Sequence, residues 1–448
     1  MHCLNIEKTN RILEFKASFL LHTFLILTQK TEYMKKHNLL TLNILTPLLL
    51  SASTSCIVNP NQREIPRDTT LPPPVINIAE PVHSVSLIAV GDNLYDWYML
   101  EAGKKGNTYN FDHNYDNIKP YVALGDLRVI NQETPLGGDN GYEASDVELK
   151  DVKPENRWGS YHGYAKFNSP DAVGHAVVNA GFNIVTMATN HIFDHGMLAV
   201  QKSAEFWETN YPDIPVIGIH KDASTVDTVI VVEKNNIKFA LLNYTYGVNE
   251  DGQMLSYPYA TDILNEEKIR RDVAKAKQMA DFVIVFPHWG TEYKLEADES
   301  QKKFAQIFLD CEVDVVIGSH PHIVEPMEWL EKENGHRMLV YYSLGNFISM
   351  FKNYQCQLEG MAFLKFEKDG DRKSIAEGSI IPLVNHWKYD LKIYGFRNNF
   401  TVYALKDYTE TIAKTHGCLH YKGGAGFSAA YMRQLANEIW GGFIKEGY

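Results

Sequence analysis

The chain has 448 residues, 45% of them hydrophobic and 12% aromatic, a composition that excludes a disordered or collagen-like polymer and suits one large domain or two modest ones. Lys plus Arg number 43 against 55 Asp plus Glu, a net charge of −12, which argues against a general affinity for nucleic acid. The five cysteines, Cys3, Cys56, Cys311, Cys356 and Cys418, are too few for a disulfide scaffold, and their spacing excludes a zinc ribbon or a thioredoxin-type redox pair.

At the start of the chain, Lys35-Lys36 precedes an apolar run from Leu39 to Ala52 that is too short to span a bilayer and is closed by Ser53-Thr54-Ser55-Cys56. A basic segment, an apolar segment and small residues before a cysteine resemble a bacterial lipoprotein signal, with Cys56 as the lipidated first residue. Ser53 stands where such signals usually carry Leu, so ordinary cleavage nearby is the competing reading. A second apolar stretch, Phe19 to Leu27, lies ahead of this signal. Translation is therefore expected to begin at Met34, with residues 1–33 a disposable extension and residues 34–55 the signal. Without residues 1–55 the chain holds 37 basic and 52 acidic side chains, or −15. Ile57 to His83 contains six of the eighteen prolines, Pro72-Pro73-Pro74 among them. Residues 56–83 thus read as a stiff spacer that holds an exported domain off a membrane.

From Ser84 onward, short apolar runs alternate with helical patterns, the signature of a layered α/β domain. Ser169-Pro170 predicts an N-cap and first helical residue for a helix ending at Gly181. Val229–Val232, an Asn235-Asn236 turn and Ile237–Tyr244 predict a hairpin, and Asn265 should cap a helix running through Met279. A further helix is expected over Ser300–Cys311, a second hairpin from Met361–Phe366 and Ser379–Val384, and a terminal helix over Ser428–Lys445 docked by Trp440 and Phe443. Two hairpins imply mixed rather than purely parallel sheets. Residues 84–390 form the expected domain, followed by a C-terminal extension over 391–448.

The polar chemistry gathers at the ends of the apolar runs. Leu87–Val90 leads into Gly91-Asp92, Leu127–Ile130 into Asn131-Gln132-Glu133, and Ile184–Met187 into Asn190-His191 with Asp194 close behind. Phe282–Phe286 leads into His288-Trp289-Gly290, Val313–Ile317 into Gly318-Ser319-His320-Pro321-His322, and Met338–Tyr342 into Ser343-Leu344-Gly345-Asn346. In layered α/β folds the carboxyl ends of strands form the ligand crevice, so these groups can converge from distant parts of the chain. Imidazole, carboxylate and amide oxygen together suit zinc, manganese or iron, with ligands enough for two ions, and hydrolysis is the natural chemistry of such a site. There is no GxSxG elbow and no P-loop, and Gly423-Gly424-Ala425-Gly426 follows no convincing strand. Trp289 is expected to pack, Glu292 is left open between packing and a substrate cleft, and the polar segment Gly137–Tyr164 reads as a substrate lid or a surface loop.

Gly91-Asp92, Asn131–Pro135, Asn190–Gly196, His288–Tyr293, Gly318–His322 and Ser343–Phe347, in this order, resemble the successive motifs of the CapA capsule-synthesis family over roughly Ser84–Ile348. That family is related to calcineurin-like metallophosphoesterases. The resemblance implies a four-layer α/β sandwich of mixed sheets flanked by helices, and a role in making or anchoring poly-γ-glutamate at the cell surface. It implies Asp92, Glu133, Asn190, His288, His320 and His322 as metal ligands, with Glu133 bridging. His191 resembles the histidine that protonates a leaving group, Asp194 orients it, and Ser343 and Asn346 brace the site. Leu94 departs from the phosphoesterase pattern, standing where an Asp-x-His motif places a histidine, and so removes one ligand. The implied partners are an anionic surface polymer, a membrane synthase complex and, through the lipid anchor, a membrane. A non-catalytic polymer-binding accessory and an envelope metallophosphoesterase are the alternative readings.

Overall fold

The computed structural model describes residues 82–138, 157–158, 161–390 and 396–448. The signal, Cys56, nearly all of the spacer and most of the Gly137–Tyr164 segment lie outside the described residues. Along the chain, β1 (His83–Asn93), β2 (Leu127–Gln132), α1 (Asp171–Ala180), β3 (Ile184–Thr186), α2 (Gly196–Asn210) and β4 (Val216–Ile217) come first. They are followed by β5 (Ile230–Lys234), β6 (Ile237–Thr245), α3 (Glu266–Met279), β7 (Phe282–His288), α4 (Glu299–Asp310), β8 (Val315–Ile317), β9 (Met327–Glu331) and β10 (Arg337–Tyr341). The described chain closes with β11 (Asn346–Ile348), β12 (Leu358–Asp369), β13 (Arg372–Tyr389), β14 (Arg397–Ala404) and α5 (Ala429–Trp440).

Two mixed sheets result. The first runs β14-β13-β12-β1-β2-β3-β4, with β11 added beside the end of β1; the second runs β9-β10-β8-β7-β6-β5. In the first, β1 to β4 are parallel, with α1 between β2 and β3 and α2 between β3 and β4, while β12 to β14 are antiparallel. In the second, β6, β7, β8 and β10 are parallel and both edge strands are antiparallel. Period-two alternation decides which side each residue of the second sheet buries. Phe239, Leu241, Ile284, Val315 and Leu339 join the large core shared with the first sheet. Their neighbours Ala240, Leu242, Val283, Val316 and Val340 pack with Ile269 and Val273 of α3 and Phe308 of α4. Phe366 of β12 meets Phe239 edge-on at 5.0 Å and Phe282 at 4.8 Å, joining the two sheets. This is the expected helix–sheet–sheet–helix sandwich. Among the described residues no helix is long and apolar enough to cross a membrane.

Several expected elements form as read. Asn235 and Asn236 adopt φ of 48° and 60° in the β5–β6 turn, where short polar side chains tolerate the left-handed region. The Asn265 side chain accepts from the Lys268 N–H and caps α3. β12 and β13 pair as the second hairpin, with Met361 opposite Ile381. Others differ. The first turn of α1 starts at Asp171, with Pro170 in the cap position, because the Ser169 hydroxyl is bonded to Thr134 Oγ1 at 2.9 Å and does not cap. The terminal helix stops at Trp440, since Gly441 takes φ 46° and turns the chain into a short 3₁₀ segment. Asp92 does not lie beyond the end of β1 but within it, opposite Asn346, because β11 extends the pairing past Gly91. β8 begins only at Val315, since Val313 and Asp314 are engaged in backbone bonds to Phe308 and Val283.

Candidate metal centre

The strand order carries the distant motifs to one edge of the sandwich. β1 and β2 bring Asp92 beside Asn131, whose amide donates to Asp92 Oδ1 at 2.7 Å. Gly91 is required here because a Cβ would lie 1.8 Å from the Gly345 carbonyl, and that close approach lets the Asp92 N–H bond to the same oxygen at 3.1 Å. From the second sheet, β7 delivers His288, and the turn after β8 delivers His320 and His322. Both turn residues have positive φ, 99° and 57°, a conformation non-glycine residues rarely adopt.

Glu133 lies at the centre. It is fully buried, and its Oε1 lies 3.9 Å from His191 Nε2, 3.7 Å from His288 Nε2 and 3.8 Å from His322 Nε2. Neither carboxylate oxygen has a hydrogen-bond partner, and His320 Nδ1 likewise has none. Two triads, Glu133 with His288 and His320 and Asp92 with Glu133 and His322, each present one ligand atom per residue within 4.8 Å of one another. Asn190 adds its amide oxygen 2.9 Å from His288 Nε2.

Burial, then the nearby Asp92, Glu292 and Asp194 carboxylates, push Glu133 well above the usual carboxylate range. Burial and the neighbouring imidazoles hold His288 and His320 well below the usual histidine value, so both are neutral. Unpartnered buried carboxylate oxygens facing neutral imidazoles are costly alone and are satisfied by a divalent cation, so the donor set fits a metal.

The surrounding groups set ring orientations. His288 Nδ1 lies 3.0 Å from Ser319 Oγ, and His322 is gripped by Asn346, whose Oδ1 is 3.1 Å from its Nδ1 and whose Nδ2 donates to its carbonyl at 2.9 Å. The Ser343 hydroxyl donates to the Ile323 carbonyl and accepts from the Gly345 N–H, bracing the turn. His191 Nδ1 meets Asp194 Oδ2 at 2.7 Å, and the Phe167 N–H donates to the same oxygen at 2.7 Å. Trp289 is buried against Phe308 and Tyr342 and donates to the Tyr342 carbonyl, as the packing expectation holds. Leu94 is buried and lines the cleft in front of the cluster, so an aliphatic chain stands there.

That cleft has a volume of about 950 Å³ and is walled by Trp97, Tyr98, Tyr164, Phe167 and Phe351, with His191, His322 and Glu292 in its lining. All eight residues expected as ligands or acid–base groups thus meet at one edge. Sequence reasoning passed over Asn249, whose Oδ1 accepts from Asn190 Nδ2 at 3.3 Å and whose Nδ2 lies 3.1 Å from His191 Nδ1. It also passed over Glu359, a buried carboxyl that burial and Asp92 push upward and whose Oε2 would lie 2.6 Å from a Cβ at Gly345. Nothing in their local sequence marks either one, because Asn249 follows an ordinary strand and Glu359 lies in a hydrophobic hairpin.

The family described as "Bacterial capsule synthesis protein PGA_cap" matches residues 86–350, more than half of the chain. The "Capsule biosynthesis protein CapA" of Bacillus anthracis is 24% identical over 270 residues, 59% of this chain and 59% of its own length. The "PGA biosynthesis protein CapA" of Bacillus subtilis (strain 168) is 24% identical over 278 residues, 62% of this chain and 66% of its own length. The matched segment therefore spans less than two thirds of either relative. Among solved structures, the calcineurin-like phosphoesterase YfkN from Bacillus subtilis aligns with a TM-score of 0.38 at 16% identity, covering 67% of this chain and 91% of that one.

Proposed function

The chain belongs to the bacterial capsule synthesis protein family PGA_cap, and on that premise we propose that it is an exported cell-envelope protein acting on a surface polymer by metal-assisted hydrolysis or group transfer. Poly-γ-glutamate or a related capsule component is the substrate in this reading. Lipid on Cys56 tethers the protein to a membrane, beside a synthase that supplies the polymer. The observation that carries the reading is the buried, unpartnered Glu133 carboxylate faced by three imidazole nitrogens.

Glu133, His288 and His320 would hold one divalent ion, zinc, manganese or iron, with the Asn190 oxygen alongside; Asp92, Glu133 and His322 would hold a second. Such ions, when bound, neutralise charge on an acyl or phosphoryl oxygen and lower the pKa of water. Leu94 supplies no ligand to the second position, which is therefore the weaker of the two. The Asp194 carboxylate beside Nδ1 favours the His191 tautomer with the proton on that atom, which would leave Nε2, on the Glu133 side, as the atom that can deliver or take a proton. The aromatic walls of the cleft give the same space a partly apolar lining.

The test is the metal content of the purified protein compared with a His320→Ala, His322→Ala double variant. Near-stoichiometric zinc, manganese or iron that is lost in the variant is expected. Absence of metal from both proteins after reconstitution would sink the hydrolase reading in favour of a polymer-binding accessory.

A further inference from the structure

Three cations line the cleft, and two of them are already committed. Lys166 Nζ is bound to Glu250 Oε1 at 2.7 Å. Arg397 is buried, donates to the Met350 carbonyl, and lies over the rings of Tyr98 at 4.8 Å, Trp387 at 5.0 Å and Tyr421 at 5.1 Å. Lys352 is exposed, its ammonium 5.0 Å from the Tyr421 ring, and among the described residues it has no carboxylate partner. Its place relative to the centre is set by its neighbour: the Phe351 ring lies 4.9 Å from that of His322 and 5.8 Å from that of Tyr293. Glu292 directly precedes Tyr293 in the other loop of this contact and also lines the cleft. One free positive charge and one exposed negative charge thus flank the Phe351–Tyr293 contact beside the metal cluster.

We propose that Lys352 is the specificity-determining residue of the cleft, pairing with a carboxylate or phosphate group of the substrate while Glu292 repels that group and so fixes the direction in which the substrate enters. The inference rests on the proposed function and deepens it. In a chain with a net charge of −12, an anion is not drawn in by the molecule as a whole and needs a local cation. An ammonium with no carboxylate partner among the described residues gives up no ion pair to bind one, whereas Lys166 would have to leave Glu250 and Arg397 is buried against three rings and held by the Met350 carbonyl.

The experiment is titration of the full chain, purified with its metal, with a γ-linked glutamate oligomer and separately with inorganic phosphate. Wild-type protein is expected to bind at least one of them, the oligomer alone pointing to carboxylate recognition and phosphate alone to phosphoester recognition, more weakly as salt is added. Lys352→Gln should weaken binding roughly three- to tenfold, the range for an ion pair that is partly solvated, Lys352→Arg should retain it, and Glu292→Gln should tighten it. Equal binding by wild type and Lys352→Gln would overturn the inference and leave the proposed function standing. Binding of neither anion by wild type would overturn both.

Discussion

At Glu133, burial and three nearby carboxylates all act against the charged form, yet charge is what a metal requires. The folded-state pKa is raised, so without a cation the stability this group contributes is present in acid and is lost as pH rises through the raised value. A bound cation reverses that sign. Chelation should therefore lower the thermal midpoint, and by more above neutrality than in mild acid; differential scanning calorimetry with and without chelator checks it. For Asp194 the expected loss is kinetic. Asp194→Asn removes the acceptor that holds the His191 tautomer and should cut turnover roughly 10²- to 10⁴-fold, with metal content unchanged by elemental analysis. Leu94→His would place an imidazole beside Asp92 and should strengthen occupancy of the second metal position, read as metal retained during dialysis.

Between elements, the loop after β8 is tied to α4 through a single buried carboxyl. Gln301 completes the capping box of α4 with Asp298 and at the same time donates to Glu325 Oε2 at 2.6 Å. Burial pushes Glu325 up to about 8. A raised carboxyl favours the fold below its unfolded value and less as pH climbs through about 8. The wild-type thermal midpoint should then fall between mildly acidic and mildly alkaline buffer by an amount on the order of a few kcal/mol of stability. Glu325→Gln, which keeps the shape without the charge, should flatten that fall. An identical pH dependence in the two proteins would refute the assignment.

For the molecule as a whole, the residues beyond 396 close the same body that holds the metal cluster. β14 extends the first sheet, and α5 buries Met432, Leu435 and Trp440 in its core. The Trp440 indole donates to the Glu325 carbonyl at 3.1 Å, which links the terminal helix to the β8 loop. Trp440→Ala should cost about 3–5 kcal/mol, as for other fully buried tryptophans, measured by denaturant melts. If the β8 loop depends on that bond, the same variant should bind metal less tightly.

The sequence by itself determined the layered α/β class, the two hairpins, the cap of α3 and the residues of the candidate centre, from Asp92 through His322. Those features are written locally: apolar period, turn-forming Asn pairs, and polar groups placed directly after strands. Only the tertiary structure decided the rest. That Ser169 bonds Thr134 instead of capping α1 depends on a residue 35 positions earlier, just past the end of β2, and that Asp92 lies inside β1 depends on β11. The roles of Asn249 and Glu359 beside the centre depend on chain segments that meet only after both sheets have closed. The distinction between a spent and a free cation among Lys166, Arg397 and Lys352 is of the same kind, because charge pairing is a property of proximity, and sequence carries residue types without their distances.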